Sequence, residues 1–161
     1  MFAGAHTALV TPFAKEGTID TESFRKIIDE QFAAGITGVV PVGTTGESAT
    51  LSTEEHRRVI ELAVKQTAKR GLVIAGTGSN STREAVDLTQ AAELAGADAA
   101  LLVTPYYNKP SQEGLFQHYR AVAESTELPL MLYSIPGRCH IHLEVETVAR
   151  LADCCSNIRA I

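Results

Sequence analysis

A repeat of strand and helix with a period of about 30 residues is the sequence feature that most restricts the fold. Short apolar runs recur along the chain, and an amphipathic helical stretch separates each run from the next. Because the runs are continuous and do not alternate with polar residues, we expect strands that are buried on both faces, as in a parallel sheet. The predicted strands are residues 5–10, 39–42, 72–75, 99–103, 130–133 and 158–161.

Sequence signals also mark the ends of the intervening helices. Ser52 and Ser81 each stand three residues before a glutamate, which is the spacing of a capping box. In this interpretation Glu84 only caps its own helix, and Gly71 is expected to stop the helix that follows Ser52. His56 stands beside two arginines and is predicted to be a solvated or interface histidine.

Two architectures share this pattern, the doubly wound sheet and the (β/α)₈ or TIM barrel. No GxGxxG motif follows the first predicted strand, which weakens the doubly wound alternative. Polar loops follow the strands at one end only, at residues 43–48, 77–80, 104–109 and 134–138, and a barrel would gather them on its C-terminal face. We predict an α/β fold in which residues 1–161 are the N-terminal part of a single barrel domain, namely five βα units and the start of a sixth strand. A complete barrel needs about 250 residues, so we expect the protein to continue.

Composition narrows the class of partner and site. The net charge of −5, the absence of long basic runs and the lack of tryptophan argue against nucleic acid as a partner. No apolar run approaches the length of a membrane span, and the first residues lack the pattern of a signal peptide. Three cysteines are an odd number that fits a reducing cytoplasm better than a disulfide framework. No Cys/His set has the spacing of zinc ligands, so we expect no metal site.

The residues best placed for chemistry follow the predicted strands. Thr44 and Thr45 stand in a glycine-flanked loop, where backbone and hydroxyl groups can approach an anion. Tyr107 and Tyr133 can act as acid or base only if a hydroxyl chain relays the proton, because the pKa of tyrosine is about 10. The planar guanidinium of Arg138 suits a carboxylate. The alternatives are a tight turn that relieves strain, tyrosines that pack in the core or at an oligomer contact, and a surface arginine.

Four segments, GTTGESATL, AGTGSN, TPYYNKPSQEGL and YSIPGR, occur in an order and spacing that resembles the 4-hydroxy-tetrahydrodipicolinate synthase (dihydrodipicolinate synthase) family. The resemblance covers essentially the whole chain. GTTGES alone indicates the wider superfamily of pyruvate-dependent class I aldolases, and YYNKPSQEGL with the arginine of IPGR narrows it to the synthases. The resemblance implies a (β/α)₈ barrel with a small helical C-terminal domain, assembled as a cytoplasmic homotetramer.

The same resemblance assigns roles to site residues. It implies a catalytic proton relay of Thr44, Tyr107 and Tyr133, in which Tyr107 reaches the neighbouring subunit's active site across a dimer interface. Thr45, with the loop amides, would bind the pyruvate carboxylate, and Arg138 the carboxylate of the aldehyde substrate. An allosteric L-lysine site is implied at Ser48, Ala49, His56, Asn80, Glu84 and Tyr106.

Three positions depart from the family pattern. Thr53 stands where many bacterial members have histidine, which leaves the strength of lysine feedback open. His140 replaces a glycine two residues after Arg138 and leaves the geometry of this loop open, since histidine rarely adopts a positive φ. The family's Schiff-base lysine follows a strand of the form N-I-x-x-I-K, which residues 157–161 match up to the lysine itself. We expect the lysine to come next in the full protein and to carry a chemical modification such as a pyruvate-derived adduct.

The resemblance therefore implies an enzyme that condenses pyruvate with L-aspartate 4-semialdehyde in lysine and diaminopimelate biosynthesis. It implies no organic cofactor and no metal, because the lysine imine itself acts as the electron sink. One alternative is another pyruvate-dependent aldolase, such as an N-acetylneuraminate lyase. A second alternative is a non-catalytic fragment or ligand-binding module that lacks the Schiff-base lysine.

Overall fold

Six parallel strands form one sheet in a computed structural model that describes residues 2–161. The strands lie in sequential order, so each strand pairs with the one before it in the chain. The strands are β1 His6–Ala8, β2 Gly38–Val40, β3 Leu72–Gly76, β4 Ala99–Val103, β5 Leu130–Tyr133 and β6 Ile158–Ala160. The helices are α1 Thr21–Ala33, α2 Thr53–Thr67, α3 Thr82–Ala95, α4 Gln112–Ala123, α5 Pro136–Cys139 and α6 Val145–Cys154, with a short 3₁₀ turn at Ser48–Thr50.

The strand order decides between the two predicted architectures. A doubly wound sheet reverses its strand order at a switch point, whereas a barrel adds each new strand beside the previous one. The order β1-β2-β3-β4-β5-β6 has no reversal within residues 2–161. The predicted α/β fold, with five βα units and the start of a sixth barrel strand, is confirmed.

The helices cover the sheet through apolar stripes that the sequence periodicity predicts. Phe24 and Ile28 of α1 pack with Val59 of α2 in one core cluster, and Leu115 and Tyr119 of α4 belong to a second cluster. The apolar pattern of α3 predicts that Leu94 is buried with Ala85, Leu88 and Ala92, and this prediction is wrong because Leu94 is 90% exposed. Leu94 lies two residues after the buried Ala92, and positions two apart do not share a helix face.

Two predicted capping boxes differ in the structure. At α2 the box is complete, because Ser52 Oγ accepts from Glu55 N at 3.3 Å and the Glu55 carboxylate accepts from Ser52 N at 2.9 Å. At α3 only half of it forms: Ser81 Oγ accepts from Glu84 N at 3.4 Å. The Glu84 carboxylate turns instead to the hydroxyl of Ser79. The prediction that Glu84 only caps its own helix is therefore wrong.

The end of α2 also differs from the prediction. The helix does not run on to Gly71 but stops at Thr67, and Ala68 and Lys69 follow with φ of 47° and 63°. Gly71 has a steric role, because a Cβ there would lie 2.5 Å from the Phe32 ring and 2.5 Å from the carbonyl oxygen of Thr37. The chain thus turns at two non-glycine residues whose backbone is left-handed. This conformation destabilises the fold by about 1–2 kcal/mol per residue.

We expect Ala68→Gly to raise the free energy of unfolding by about 0.5–1 kcal/mol. Glycine removes the left-handed penalty, and its greater freedom in the unfolded chain offsets part of that gain. Denaturant melts of the protein measure the change. Ala149→Gly, in the exposed interior of α6, is the matched control and should lower stability by about 1 kcal/mol. A loss of stability at both positions would contradict this explanation of the turn.

The segment after β5, predicted as a loop, contains the one-turn helix α5. His140 ends α5 with φ 55° and ψ 19°, so the histidine adopts the left-handed conformation that glycine usually supplies. The Gln112 side chain anchors the next segment to α4: its amide nitrogen donates to the carbonyl oxygen of His142 at 2.7 Å, and its oxygen accepts from Glu144 N and from Thr147 Oγ1. The helix α6 follows from Val145.

Candidate functional site

The loops after β2, β3, β4 and β5 meet at the carboxyl end of the sheet. A small cavity of about 20 Å³ lies there, and both Thr44 and Tyr133 line it together with Gly76 and Val103. Tyr133 is the last residue of β5 and pairs in register with Val103, the last residue of β4. The structure therefore brings together two members of the predicted relay from segments about 90 residues apart.

A larger cavity of about 320 Å³ adjoins the first through Thr44. Arg138 of α5 lines it together with the Ser48–Thr50 turn, and Tyr106 and Cys139 form part of its wall. The Arg138 guanidinium is exposed and forms no ion pair with any residue between 2 and 161. A carboxylate entering this cavity would find that cation available.

The loop after β2 holds its shape through its own backbone. The N–H groups of Gly46 and Ser48 donate to the carbonyl oxygen of Gly43, at 3.1 Å and 3.4 Å. Those of Thr44 and Thr45 have no acceptor within the described part of the chain. Two hydroxyl groups and two free amides thus stand side by side, a set of donors suited to an anion.

Two predicted site residues lie outside both cavities. Tyr107 is 88% exposed, with φ 74°, and its side chain projects from the loop after β4. Thr45 is also exposed and lines neither cavity, although it neighbours Thr44. Within one chain the structure therefore does not bring Tyr107 to Thr44 and Tyr133.

A third cavity, of about 80 Å³, collects the predicted effector residues. Five of the six line it, namely Ser48, Ala49, His56, Glu84 and Tyr106. The sixth, Asn80, follows the lining residue Ser79 and accepts a hydrogen bond at its carbonyl oxygen from the Asn108 side chain at 3.0 Å. Thr53 also lines this cavity. Ser48, Ala49 and Tyr106 line the 320 Å³ cavity as well, so the two cavities share a wall.

His56 is buried, and its prediction as a solvated or interface histidine is wrong. Its side chain is 4% exposed, and Nδ1 has no hydrogen-bond partner among the residues that the structure describes. Burial lowers the pKa of His56 to about 4, while a hydrogen bond to the Gly76 backbone and the Glu84 charge act in the opposite direction. A neutral imidazole and a carboxylate therefore face one another across a polar cavity.

Two residues of these walls were missed by sequence reasoning. Ser79 holds the Glu84 carboxylate and also accepts from Ser81 N at 3.1 Å, which fixes the loop after β3. Cys139 is 1% exposed and lies beside Arg138 in the 320 Å³ cavity. The serine follows a glycine at a strand end, which is a usable signal, but no sequence pattern distinguishes the cysteine.

His118 is a second buried histidine, on α4. Its Nδ1 lies 2.9 Å from Thr82 Oγ1, and burial lowers its pKa to about 4. The unfolded chain binds a proton at each histidine below about pH 6.5, but the folded state resists protonation down to about pH 4. Both histidines thus favour the unfolded state progressively as pH falls through this window, and neither contributes above it.

We expect the free energy of unfolding to fall by roughly 3 kcal/mol per buried histidine between pH 6.5 and pH 4. Denaturant melts at half-unit pH intervals measure this slope. His118→Gln should remove about half of it, since glutamine keeps a polar partner for Thr82 but does not titrate. The carboxyl groups whose pKa is lowered, such as Asp29 and Glu113, lose their contribution only below about pH 5, so they do not affect the slope above it. Stability that is constant from pH 7 to pH 5 would contradict the prediction.

The described residues, 2–161, contain no group of three or more His, Cys, Asp or Glu side chains arranged to bind a metal ion. No helix in the same range has the length and apolar character needed to cross a membrane.

Comparison with protein families gives one match over the whole chain. A family model described as "Dihydrodipicolinate synthetase family" matches residues 1–161. The 4-hydroxy-tetrahydrodipicolinate synthase of Syntrophobacter fumaroxidans is 58% identical over 161 residues, which are 100% of this chain and 55% of that protein. The synthase of Geotalea daltonii is 59% identical over 153 residues, 95% of this chain and 52% of that protein. The chain therefore spans about half the length of the curated relatives that it matches.

Solved structures give the same result. The 4-hydroxy-tetrahydrodipicolinate synthase of Methylacidiphilum fumariolicum matches with a TM-score of 0.94 and 51% identity, over 96% of this chain and 51% of that one. The chloride-inhibited enzyme of Acinetobacter baumannii, complexed with pyruvate, matches with a TM-score of 0.95 and 54% identity, over 98% and 54%. The enzyme of Cyanidioschyzon merolae with lysine bound matches with a TM-score of 0.92 and 42% identity, over 95% and 52%.

Proposed function

The chain belongs to the dihydrodipicolinate synthetase family, and on this basis we propose that the full-length protein is a 4-hydroxy-tetrahydrodipicolinate synthase. It would condense pyruvate with L-aspartate 4-semialdehyde, as a lyase of lysine and diaminopimelate biosynthesis. The observation that carries the proposal is the shared cavity of Thr44 and Tyr133, next to the cavity that Arg138 lines. Both relatives and all three structures described above have the synthase name, which favours this function over an N-acetylneuraminate lyase.

The sheet register supports a Schiff-base lysine directly after Ile161. Met131 of β5 pairs with Ala160 of β6, in parallel. Two residues further along each strand, Tyr133 would face the residue that follows Ile161. A lysine there would extend toward the Thr44 and Tyr133 cavity and form the imine with pyruvate. This position favours a catalytic protein over a non-catalytic fragment, because Thr44 and Tyr133 line a cavity next to it.

The chain's own groups would move the protons of this reaction. Tyr133 would serve as acid and base at the carbinolamine and imine, and Thr44 would relay the proton. Tyr107, with its exposed side chain, would connect the relay to solvent from the neighbouring subunit of a homotetramer. Thr45, with the free amides of the loop, would bind the pyruvate carboxylate. The enamine carbon then attacks the aldehyde, and no organic cofactor or metal is needed.

We also propose that the 80 Å³ cavity binds L-lysine as a feedback inhibitor of this cytoplasmic enzyme. The carboxylate of Glu84 would pair with an ammonium group, and the neutral His56 and Tyr106 would supply neutral polar contacts. Thr53 at the cavity edge is shorter than histidine, so the site would hold lysine with fewer contacts. The solved C. merolae enzyme with lysine bound supports an effector site in this family.

Trapping of the pyruvate imine tests the proposed function. Full-length protein treated with pyruvate and borohydride should gain one reduced pyruvate per chain, on the residue after Ile161. Pyruvate consumption should then depend on added L-aspartate 4-semialdehyde. An unmodified chain would contradict the Schiff-base mechanism, and an adduct combined with turnover of N-acetylneuraminate would favour the lyase.

Arg138→Ala is expected to lower kcat/KM for the semialdehyde by about 100-fold, because a charged hydrogen-bonded pair contributes about 1.5–3 kcal/mol. Imine trapping with pyruvate should be unchanged, since Arg138 lines the larger cavity and not the small cavity that Thr44 and Tyr133 share. Steady-state kinetics with each substrate varied separately measures the split. Arg58→Ala removes an exposed arginine of α2 and is the control. Equal losses for both substrates would count against the proposed role.

A further inference from the structure

Two adjacent cysteines lie at the end of the strands opposite to the proposed active site. Cys154 is the last residue of α6, and Cys155 leads into the amino end of β6. Their sulfur atoms are 3.2 Å apart, with the Cys154 side chain exposed and that of Cys155 5% exposed. Both are free thiols, and the proposed condensation uses neither.

The distance between the sulfurs selects among the ligands that a dithiol can take. A disulfide needs about 2.05 Å between the sulfurs. Tetrahedral zinc, with bonds of about 2.3 Å, separates two thiolate ligands by about 3.8 Å. A pyramidal centre with similar bond lengths and near-right angles separates them by about 3.2–3.3 Å. Trivalent arsenic is such a centre, so it fits these sulfurs with little movement of either.

The surroundings suit a neutral ligand with an organic substituent. A cavity of about 230 Å³ opens beside the thiols, and its other lining residues are Ala123, Glu124, Thr126, Glu127, Ser156 and Asn157. The Asn157 side-chain amide donates to the carbonyl oxygens of Ala123 and Thr126 at 3.0 Å, which holds this wall in place. A cavity of about 150 Å³ accommodates benzene in another protein, so an aryl group has room here.

One ion pair lies beside the thiols. Arg120 Nε donates to Glu124 Oε1 at 2.7 Å, and the two charges of this pair act on Cys155 in opposite directions. Burial raises the pKa of Cys155 to about 11, so its thiol is protonated at neutral pH. A metal cation would have to release these protons to solvent as it binds, whereas a ligand whose oxygen leaves as water consumes them, which suits a protonated pair.

We propose that Cys154 and Cys155 form a dithiol binding site for neutral trivalent arsenicals. An arsenoxide, R–As=O, forms two As–S bonds while the two S–H bonds and the bonds from arsenic to oxygen break. The oxygen leaves as water with both thiol protons. Arsenic stays trivalent, so no oxidant or reductant takes part. The site is independent of the proposed condensation and holds whether or not that function is correct.

Phenylarsine oxide is the probe that tests this site, added in equimolar amount to the full-length protein. Intact mass should increase by one reagent minus one water. The adduct should persist in excess 2-mercaptoethanol and be lost to the dithiol dimercaptopropanol. Cys154→Ser and Cys155→Ser should each abolish the resistant adduct, although Cys139 remains in both variants as an unmodified buried thiol. A resistant adduct in either serine variant would overturn the proposal.

Thermal unfolding distinguishes a native site from capture by the unfolded chain, in which adjacent cysteines also react. Because the folded sulfurs already have the required spacing, the ligand should bind the native state more tightly and raise Tm. The serine variants, which fold without the ligand in this scheme, should show no change in Tm. An adduct that lowers the Tm of the wild-type protein would overturn the proposal.

Discussion

Full-length protein with Tyr133→Phe is expected to lose at least about 100-fold in kcat, within the range that a positioned acid or base contributes. The substitution keeps the ring that lines the Thr44 cavity and removes only the hydroxyl that would protonate the carbinolamine. The loss should appear in the rate of imine formation as well, because the same proton transfers precede condensation. Rapid mixing with pyruvate, followed by borohydride at timed intervals, measures that rate.

Tyr119→Phe is the matched control. Its hydroxyl donates to Thr104 Oγ1 at 3.1 Å inside the core, and Thr104 Oγ1 donates to the Tyr133 carbonyl oxygen at 3.1 Å. Removing that hydroxyl should lower the free energy of unfolding by about 1 kcal/mol and change kcat by less than about threefold. If Tyr133→Phe kept wild-type imine formation while Tyr119→Phe slowed it, the acid and base assignment would be wrong.

Gly76→Ala is expected to destabilise the fold by about 3 kcal/mol or more, which can leave little soluble protein. Gly76 ends β3, and a Cβ there would overlap the carbonyl group of Val42 and approach the Gly43 nitrogen. These are backbone atoms of the site loop, held by the hydrogen bond from Gly76 N to the Pro41 carbonyl oxygen at 3.0 Å. Neither segment can move away without opening the Thr44 cavity. Denaturant melts and soluble yield measure the effect.

Gly137→Ala provides the comparison for Gly76→Ala. Apart from the neighbouring residues and the backbone of its own helix, no atom lies within 4 Å of a Cβ built on Gly137, which is in α5 next to Arg138. Alanine should therefore be accommodated with a change below about 0.5 kcal/mol. A Gly76→Ala protein as stable as Gly137→Ala would mean that the loop after β2 is free to shift.

The strand pattern predicted the sheet well where an apolar run is long and bounded. The strands Ala99–Val103 and Leu130–Tyr133 have the predicted bounds, because each is a continuous apolar run and at least half of its residues are buried. The first strand is shorter than predicted, at His6–Ala8, since only these residues pair with β2. The one-turn helix α5 is too short to leave a periodic signal in the sequence.

The sequence likewise predicted some residues of the candidate site and missed others. The segment motifs pointed to Thr44, Tyr133 and Arg138, and all three line cavities at the carboxyl end of the sheet. His56 was misjudged from its two arginine neighbours, although its spacing to the buried Val59, Ile60 and Ala63 follows the inward face of α2. His118 has the same kind of spacing on α4. The turn of Glu84 toward Ser79 depends on the path of the loop after β3, which no local pattern contains.

The sequential order of the strands has a consequence for how the protein is made. Each strand pairs with the strand synthesised just before it. A finished strand therefore stays unpaired on one edge only until the next βα unit of about 30 residues has been made. At about 5–20 residues per second, that interval is roughly 2–6 seconds. Contacts of this short range favour folding during translation, with the sheet growing from β1 toward β6 as the ribosome advances.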